Sequence, residues 1–262
     1  MAETSRRDVL LESDGHVAVV TLNRPEKLNA LTLDMLSALS EIAARLDSDR
    51  DVRCVILTAA GERAFCVGAD INAWSALEPL DMWRSWVKRG HQVFDQWAVL
   101  RQPVIAAING HALGGGLELA AVADLRVATP SAQFGLPEVS IATCPGWSGT
   151  QRLAAIIGVS RLKYLALAAH RMSAAEAERI GFLHQLASDE PVLATARRLA
   201  AEICALAPVS VQLTKQSINA GHGEGVAWAL ESVAGALAAS THDAREGLAS
   251  FREKRPPSFR GD

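Results

Sequence analysis

The segment Asn109-Gly110-His111-Ala112-Leu113-Gly114-Gly115-Gly116-Leu117-Glu118 holds the residues of this chain best suited to chemistry. Three consecutive glycines follow the apolar run Val104 to Ile108 and precede a helical pattern that ends near Ala123. Strand, glycine turn and helix start, in that order, expose backbone N–H groups at a helix N-terminus, where negative charge is favoured. The carboxylate of Glu118 follows within the first turn. An anion-holding backbone beside a proton-transfer group points to chemistry on a carbonyl compound. The same triplet also has a structural explanation, a tight turn that needs positive φ and close helix–strand packing.

A second glycine-bearing turn lies upstream, Phe65-Cys66-Val67-Gly68-Ala69-Asp70, again after a strand. Two backbone N–H groups converging on one point make an oxyanion hole, and such donors need no particular side chains. Two carboxylates accompany the turns. One is Glu118; the other, Glu138, ends Phe134-Gly135-Leu136-Pro137-Glu138. Like charges that share a site raise one pKa, so a pair can divide into an acid and a base. Taken singly, each glutamate also reads as a solvated surface residue. Other motifs fail on spacing. Gly146-Trp147-Ser148-Gly149-Thr150 is one residue short of the GxSxG nucleophile elbow, and without a convincing triad order a serine hydrolase is disfavoured. Neither GxGxxG nor GxxxxGK[ST] occurs, and the 7 histidines are scattered without metal-ligand spacing, so no metal is expected. His111 reads as a capping or core histidine rather than a base. Cys66 has no evident partner histidine and reads as a packing residue.

These groups need strands and helices to position them. His16 to Leu22, Val52 to Thr58, Pro103 to Asn109 and Leu125 to Ala128 read as strands. Thr32 can cap a helix with apolar Met35, Leu36, Leu39, Ile42, Ala43 and Leu46. Ile71 to about Leu100 reads as irregular helix broken near Pro79, and Phe134 to Thr150 as a loop with functional potential. After Gln151 helical spacing dominates. Ser173-Ala174-Ala175-Glu176 is a capping box, Gly181 suits a helix stop and Pro191 a first helical position. An α/β core to about residue 150 with an α-helical extension follows. The Ala-rich extension is expected to pack closely, with another subunit as one partner.

At 262 residues and 49% hydrophobic composition, the chain suits one large domain or a domain with an appendage. A net charge of −3 gives no field that would recruit nucleic acid or anionic membrane. No apolar run approaches the roughly 18 residues a bilayer span needs, and the polar stretch Met1 to Asp8 lacks a signal-peptide core. Cys54, Cys66, Cys144 and Cys204 form no CxxC pair, and three lie in apolar surroundings. A reduced, cytoplasmic protein is expected.

In order and spacing the chain resembles the crotonase family, the enoyl-CoA hydratase/isomerase superfamily. The resemblance rests on Thr21-Leu22-Asn23-Arg24-Pro25, Asn29-Ala30-Leu31, Ala64 through Ile71, Pro103 through Ala120, and Asp124. It continues through Phe134 to Glu138, Pro145-Gly146, Gly149 to Leu153, and the tail residues Asp243, Glu246-Gly247, Phe251 and Glu253-Lys254-Arg255. It implies a spiral of ββα units (1–195) and a C-terminal helical trimerisation region (196–262), with trimers commonly paired into hexamers. It implies acyl-CoA thioester substrates and no separate cofactor, CoA being part of the substrate. Ala69 and Gly115 would supply the oxyanion N–H groups, Glu118 would act chiefly as base and Glu138 chiefly as acid. CoA would contact Arg24, Lys27, Leu28, Ala30, Ala64, Val67, Gly68, Asp70, Ile71 and Gly114, with Phe251 and a neighbour's Lys254. Retention of both glutamates favours hydration of a 2-enoyl-CoA, or the reverse dehydration. A Δ3,Δ2-enoyl-CoA isomerase and an acyl-CoA-binding paralogue without turnover are the alternatives.

Departures from the family pattern narrow the expectation. Asn72 stands where many members carry Lys after the Asp-Ile pair, which shifts CoA contact toward Lys27, Arg24 or Lys254. Ser148 stands in the usual Gly-Gly-Thr, preceded by Trp147. Trp83, Trp86, Trp97 and Trp147 are prominent in a chain with 1 Tyr. Trp83 and Trp86 are three apart, as on one helical face. They read either as core or trimer packing or, with Pro145 and Trp147, as an indole-walled acyl pocket favouring short or aromatic acyl groups.

Overall fold

The computed structural model describes residues 8–223 and 225–261. Residues 1–7 of the polar N-terminal stretch lie outside the described residues. Ten strands form two sheets among the described residues. The larger runs β1 (Val9–Asp14), β2 (Val17–Leu22), β3 (Cys54–Ala59), β5 (Val104–Ile108), β7 (Leu125–Ala128), β10 (Gln185–Leu186) in that spatial order. The smaller runs β4 (Ala64–Cys66), β6 (His111–Leu113), β8 (Gln133–Gly135), β9 (Arg171–Ser173). β1 pairs antiparallel with β2, and the pairs from β2 through β10 are parallel. In the smaller sheet β4, β6 and β8 are parallel and β9 closes it antiparallel.

Three strands of the large sheet are each followed in sequence by one of the small sheet: β3 by β4, β5 by β6, β7 by β8. A helical segment then returns the chain. This is the ββα spiral that the resemblance implies. Every residue of β3 and β5 is buried, the signature of parallel strands covered on both faces. Alternation sorts their side chains onto opposite faces. Val55, Leu57, Val104 and Ala106 join a core with Met35, Leu36 and Leu39 of α1 (Leu33–Ser48) and with Phe94 and Trp97 of α2 (Lys88–Ala98). Cys54, Ile56, Ile105 and Ala107 face the other way. Thr32 Oγ1 accepts from Met35 N and caps α1, and Trp97 Nε1 donates to Leu39 O, tying α2 to α1.

The remaining helices are α3 (Gly115–Ala121), α4 (Gly149–Ile157), α5 (Val159–Leu167), α6 (Ala174–Arg179), α7 (Val192–Cys204), α8 (Pro208–Gly221), α9 (Val226–Ser240) and α10 (His242–Glu253). Single helical turns at Ile71–Trp74 and Pro79–Asp81 and a π-helical stretch, Met82–Val87, precede α2. Ser173 caps α6, its Oγ accepting from Glu176 N as the capping box requires. The chain falls into two compact units divided between Gln212 and Leu213. The boundary expected at 195/196 would cut α7, whose Val192, Ala196 and Ala200 pack on Ile56 and Ile105 of the large sheet. The short strands β4, β6, β8, β9 and β10 have no counterpart among the four strands that the sequence predicts. β1 was not anticipated. The expected loop from Phe134 to Thr150 carries the end of β8, a 3₁₀ turn (Glu138–Ile141) and the start of α4.

Candidate active site

The turns after β4 and β6 meet backbone to backbone. Gly68 has φ +97°, and a Cβ there would lie 3.0 Å from Gly115 N and 3.1 Å from Leu113 O. Only glycine fits such an approach in that conformation. Leu31 bridges the first turn with bonds from its own N–H to Gly68 O and from Asp70 N–H to Leu31 O, which skips the Ala69 N–H. Gly115 opens α3, so no helical carbonyl precedes it to accept its N–H.

Glu118 sits in α3, where all seven residues are buried, and is itself 2% exposed. Its Oε1 accepts from Trp147 N and Gly149 N, each at 2.9 Å. Gly149 is the first residue of α4, so the carboxylate caps that helix. Burial pushes the Glu118 carboxyl above the usual carboxylate range, opposed by the N–H groups of Trp147, Gly149 and Gly146 and by His91. Glu138 opens the 3₁₀ turn after Pro137. A Cβ on Gly114 would lie 3.0 Å from Glu138 Oε1. Glu138 Oε2 is buried with no hydrogen-bond partner among the described residues. Burial, reinforced by the charge of Glu118 and opposed by its own N–H, pushes Glu138 up to about 7.

Both carboxyls open on one cavity of about 260 Å³. Gly68, Ala69, Gly114 and Gly115 line it, with Trp74, Met82, Trp86, Ile141 and Trp147. Trp86 and Trp147 are each 4% exposed, with ring centroids 5.7 Å apart. Phe94 meets Trp147 edge-on at 5.3 Å. Gly90 leaves room for the Trp147 ring, because a Cβ there would collide with Nε1.

Of the tryptophans expected in the pocket, Trp83 departs. It is 67% exposed and absent from the cavity wall. The segment Met82–Val87 is π-helical, so residues three apart do not share a face as they would in an α-helix. Pro145 is half-buried and does not line the cavity, whereas its neighbours Cys144 and Gly146 do. Val67, Gly68, Ile71 and Gly114 line the cavity. Leu28, Ala64 and Val67 line a second cavity of about 240 Å³, so Val67 belongs to both. Arg24 Nη1 donates to Asp70 Oδ2 at 2.7 Å and to Ala30 O at 3.1 Å, bracing the loop. That bond to Arg24 holds the Asp70 carboxyl below its usual range. Asn72 N–H donates to Asp70 Oδ1. Lys27 is exposed at the end of a 3₁₀ turn. Phe251 and Lys254 belong to the second unit, where both are exposed. Cys66 is fully buried, which pushes its thiol up to about 12 and leaves it inert. His111 Nδ1 accepts from Gln133 N, a structural bond.

A polar cluster escaped the sequence reading. Ser148 Oγ lies 2.9 Å from His91 Nδ1 and donates to Asp95 Oδ1 at 3.0 Å. His91 Nε2 lies 3.2 Å from Asp95 Oδ2, and Arg152 Nη2 donates to Asp95 Oδ1 at 2.8 Å. The i,i+4 spacing of His91 and Asp95 was the available signal; their meeting with Ser148 depends on how α2 and α4 pack. Ser, His and Asp are the members of a nucleophilic triad. Ser148, however, does not line the cavity, and its hydroxyl proton points to Asp95.

Paired carboxyls over apposed glycine turns on a ββα spiral define the class. Residues 12–262 match the family model described as Enoyl-CoA hydratase/isomerase, and the chain belongs to that family. It is 41% identical over 250 residues to the short-chain-enoyl-CoA hydratase of Clostridium acetobutylicum, covering 95% of each. It is 39% identical over 259 residues to the (E)-benzylidenesuccinyl-CoA hydratase of Thauera aromatica, covering 97% of this chain and 99% of that one. A crystal structure of enoyl-CoA hydratase from Bacillus anthracis matches with a TM-score of 0.80 at 36% identity, over 97% of this chain and 100% of that one.

Proposed function

We propose that the protein is an enoyl-CoA hydratase that adds water across the 2,3 double bond of a 2-enoyl-CoA, or runs the reverse dehydration. The observation that carries this reading is the pair Glu118 and Glu138 on one cavity with the Gly68–Ala69 and Gly114–Gly115 backbone. Ala69 N–H and Gly115 N–H hold the thioester oxygen. Glu118 takes a proton from water as its oxygen bonds to Cβ. The π pair moves toward the thioester, whose oxyanion the two amides stabilise. Glu138, whose carboxyl is pushed up to about 7 and so keeps its proton below neutrality, delivers a proton to Cα. The names of the short-chain and benzylidenesuccinyl relatives support this chemistry, and no separate cofactor is required.

The indole wall supports short or compact aromatic acyl groups. Leu28, Ala64 and Val67 of the second cavity, with Gly68, Asp70, Ile71 and Gly114, are assigned to the CoA portion, together with Lys27. The exposed apolar residues Val226, Trp228, Leu230, Val233 and Leu237 on α9 support assembly into homotrimers or hexamers, because an apolar helix normally ends up covered. In such an assembly Phe251 and Lys254 would reach a neighbour's CoA. No helix among the described residues is long and apolar enough to cross a membrane. The thiol of Cys66, buried in the core without a disulfide, supports a cytoplasmic setting.

The test is spectrophotometric. Wild type is expected to consume the enoyl-thioester absorbance of crotonyl-CoA. Glu118→Gln and Glu138→Gln should each fall by about 10²–10⁴-fold, the range for general acid–base help. Full turnover in both variants would refute the assignment. Conversion of a 3-enoyl-CoA with tolerance of one change would identify the isomerase instead.

A further inference from the structure

Ser148 stands between the two residues whose N–H groups grip Glu118. It is 7% exposed and holds φ +67°, a left-handed conformation that costs energy for a residue with a Cβ. Glycine is the residue normally used there. The left-handed turn here is anchored through the side chain. The hydroxyl has one proton. Asp95 Oδ1 can only accept, so the proton goes there and Oγ accepts from His91 Nδ1. His91 Nε2 also faces Asp95, at Oδ2. Both ring nitrogens therefore face oxygen atoms of the cluster. Arg152, in the first turn of α4, reaches the same carboxylate. The cluster thus pins the N-terminus of α4 to α2.

We propose that Ser148, held by His91 and Asp95, is a positioning residue that aims the Trp147 and Gly149 N–H groups at one oxygen of Glu118. The proposal rests on the reading of Glu118 as the base. Gly149 shows how tight the placement is, since a Cβ there would collide with Glu118 Cγ. His91 also acts on Glu118 through its charge, pulling that carboxyl down toward the ionised form. The other ionisable groups around Glu118 are Glu138 across the cavity and, beyond Ser148, Asp95 and Arg152. Loss of His91 lets the Glu118 pKa rise, so the ionised base is lost at a higher pH.

The experiment measures kcat and KM for crotonyl-CoA from about pH 5.5 to 9. The proteins are wild type, Ser148→Ala, Ser148→Gly, His91→Ala and Glu118→Gln. Both Ser148 variants are expected to lose about 10- to 100-fold in kcat, with KM changed about twofold or less, because a displaced base misses its water. His91→Ala should move the acidic limb of the kcat profile to higher pH. Ser148→Gly adopts the turn without strain, so it decides the matter if Ser148→Ala does not fold. Wild-type kcat and acidic limb in Ser148→Gly would overturn the proposal, even with a lowered Tm. If Glu118→Gln is silent while the Ser148 variants behave as wild type, positioning alone is refuted. Full activity in Glu118→Gln would remove the base assignment and this proposal with it.

Discussion

Two glutamates in one cavity face unlike surroundings. Glu118 is buried more deeply, yet one oxygen accepts two N–H groups, which favours the carboxylate. Glu138 leaves an oxygen without a partner among the described residues and is pushed up to about 7. The asymmetry matches a base and an acid respectively. It sets a pH profile. Hydration needs Glu138 protonated, so kcat/KM should fall as pH rises through about 7. It also needs Glu118 ionised, so the rate should fall on the acid side, at a pH above the usual carboxylate range. A bell with those limbs is expected from initial rates at low crotonyl-CoA; because the two groups interact, the limbs belong to the pair. A rate that climbs steadily past neutrality would contradict the acid role of Glu138.

Among the elements, the wall of the cavity depends on how helices are wound. The π-helical stretch turns Trp86 inward and leaves Trp83 outside, and Gly90 makes room for Trp147. Trp147→Ala should open the wall and raise the kcat/KM of an eight-carbon enoyl-CoA relative to crotonyl-CoA, by about 10-fold or more. Steady-state rates on the two substrates measure it. The truncation also costs roughly 3–5 kcal/mol of stability, so Trp147→Phe provides a milder comparison. An unchanged ratio in both would place the acyl limit elsewhere. The four parallel strands, the Thr32 cap and the Ser173 box were legible because each is written in local periodicity or capping chemistry. Trp83 was misread because three-residue spacing assumes an α-helix, and π-winding is set by packing. The cluster of His91, Asp95 and Ser148 was illegible because its members lie on separate elements. β1 escaped because a short antiparallel edge strand with half its residues exposed lacks the apolar run that marked the others.

At the scale of the whole molecule, the exposed apolar residues of α9 argue for self-association. Leu230 and Leu237 are seven apart and share a helical face. Light scattering after gel filtration should show a trimer or a multiple of it. Leu230→Asp with Leu237→Asp should shift the protein toward monomer and raise KM for acyl-CoA more than it lowers kcat. A monomeric wild type would exclude a neighbour's Phe251 and Lys254 from the site. The spiral also apportions its labour by turn. The crossing from β3 to β4 ends at Ala69, that from β5 to β6 at Gly115 and Glu118, and that from β7 to β8 at Glu138. The groups proposed to hold the anion and the one proposed to deliver the proton thus sit on separate coils of one ramp. A lineage could rewrite the third coil, exchanging hydration for another fate of the enolate, while inheriting the grip of the first two intact.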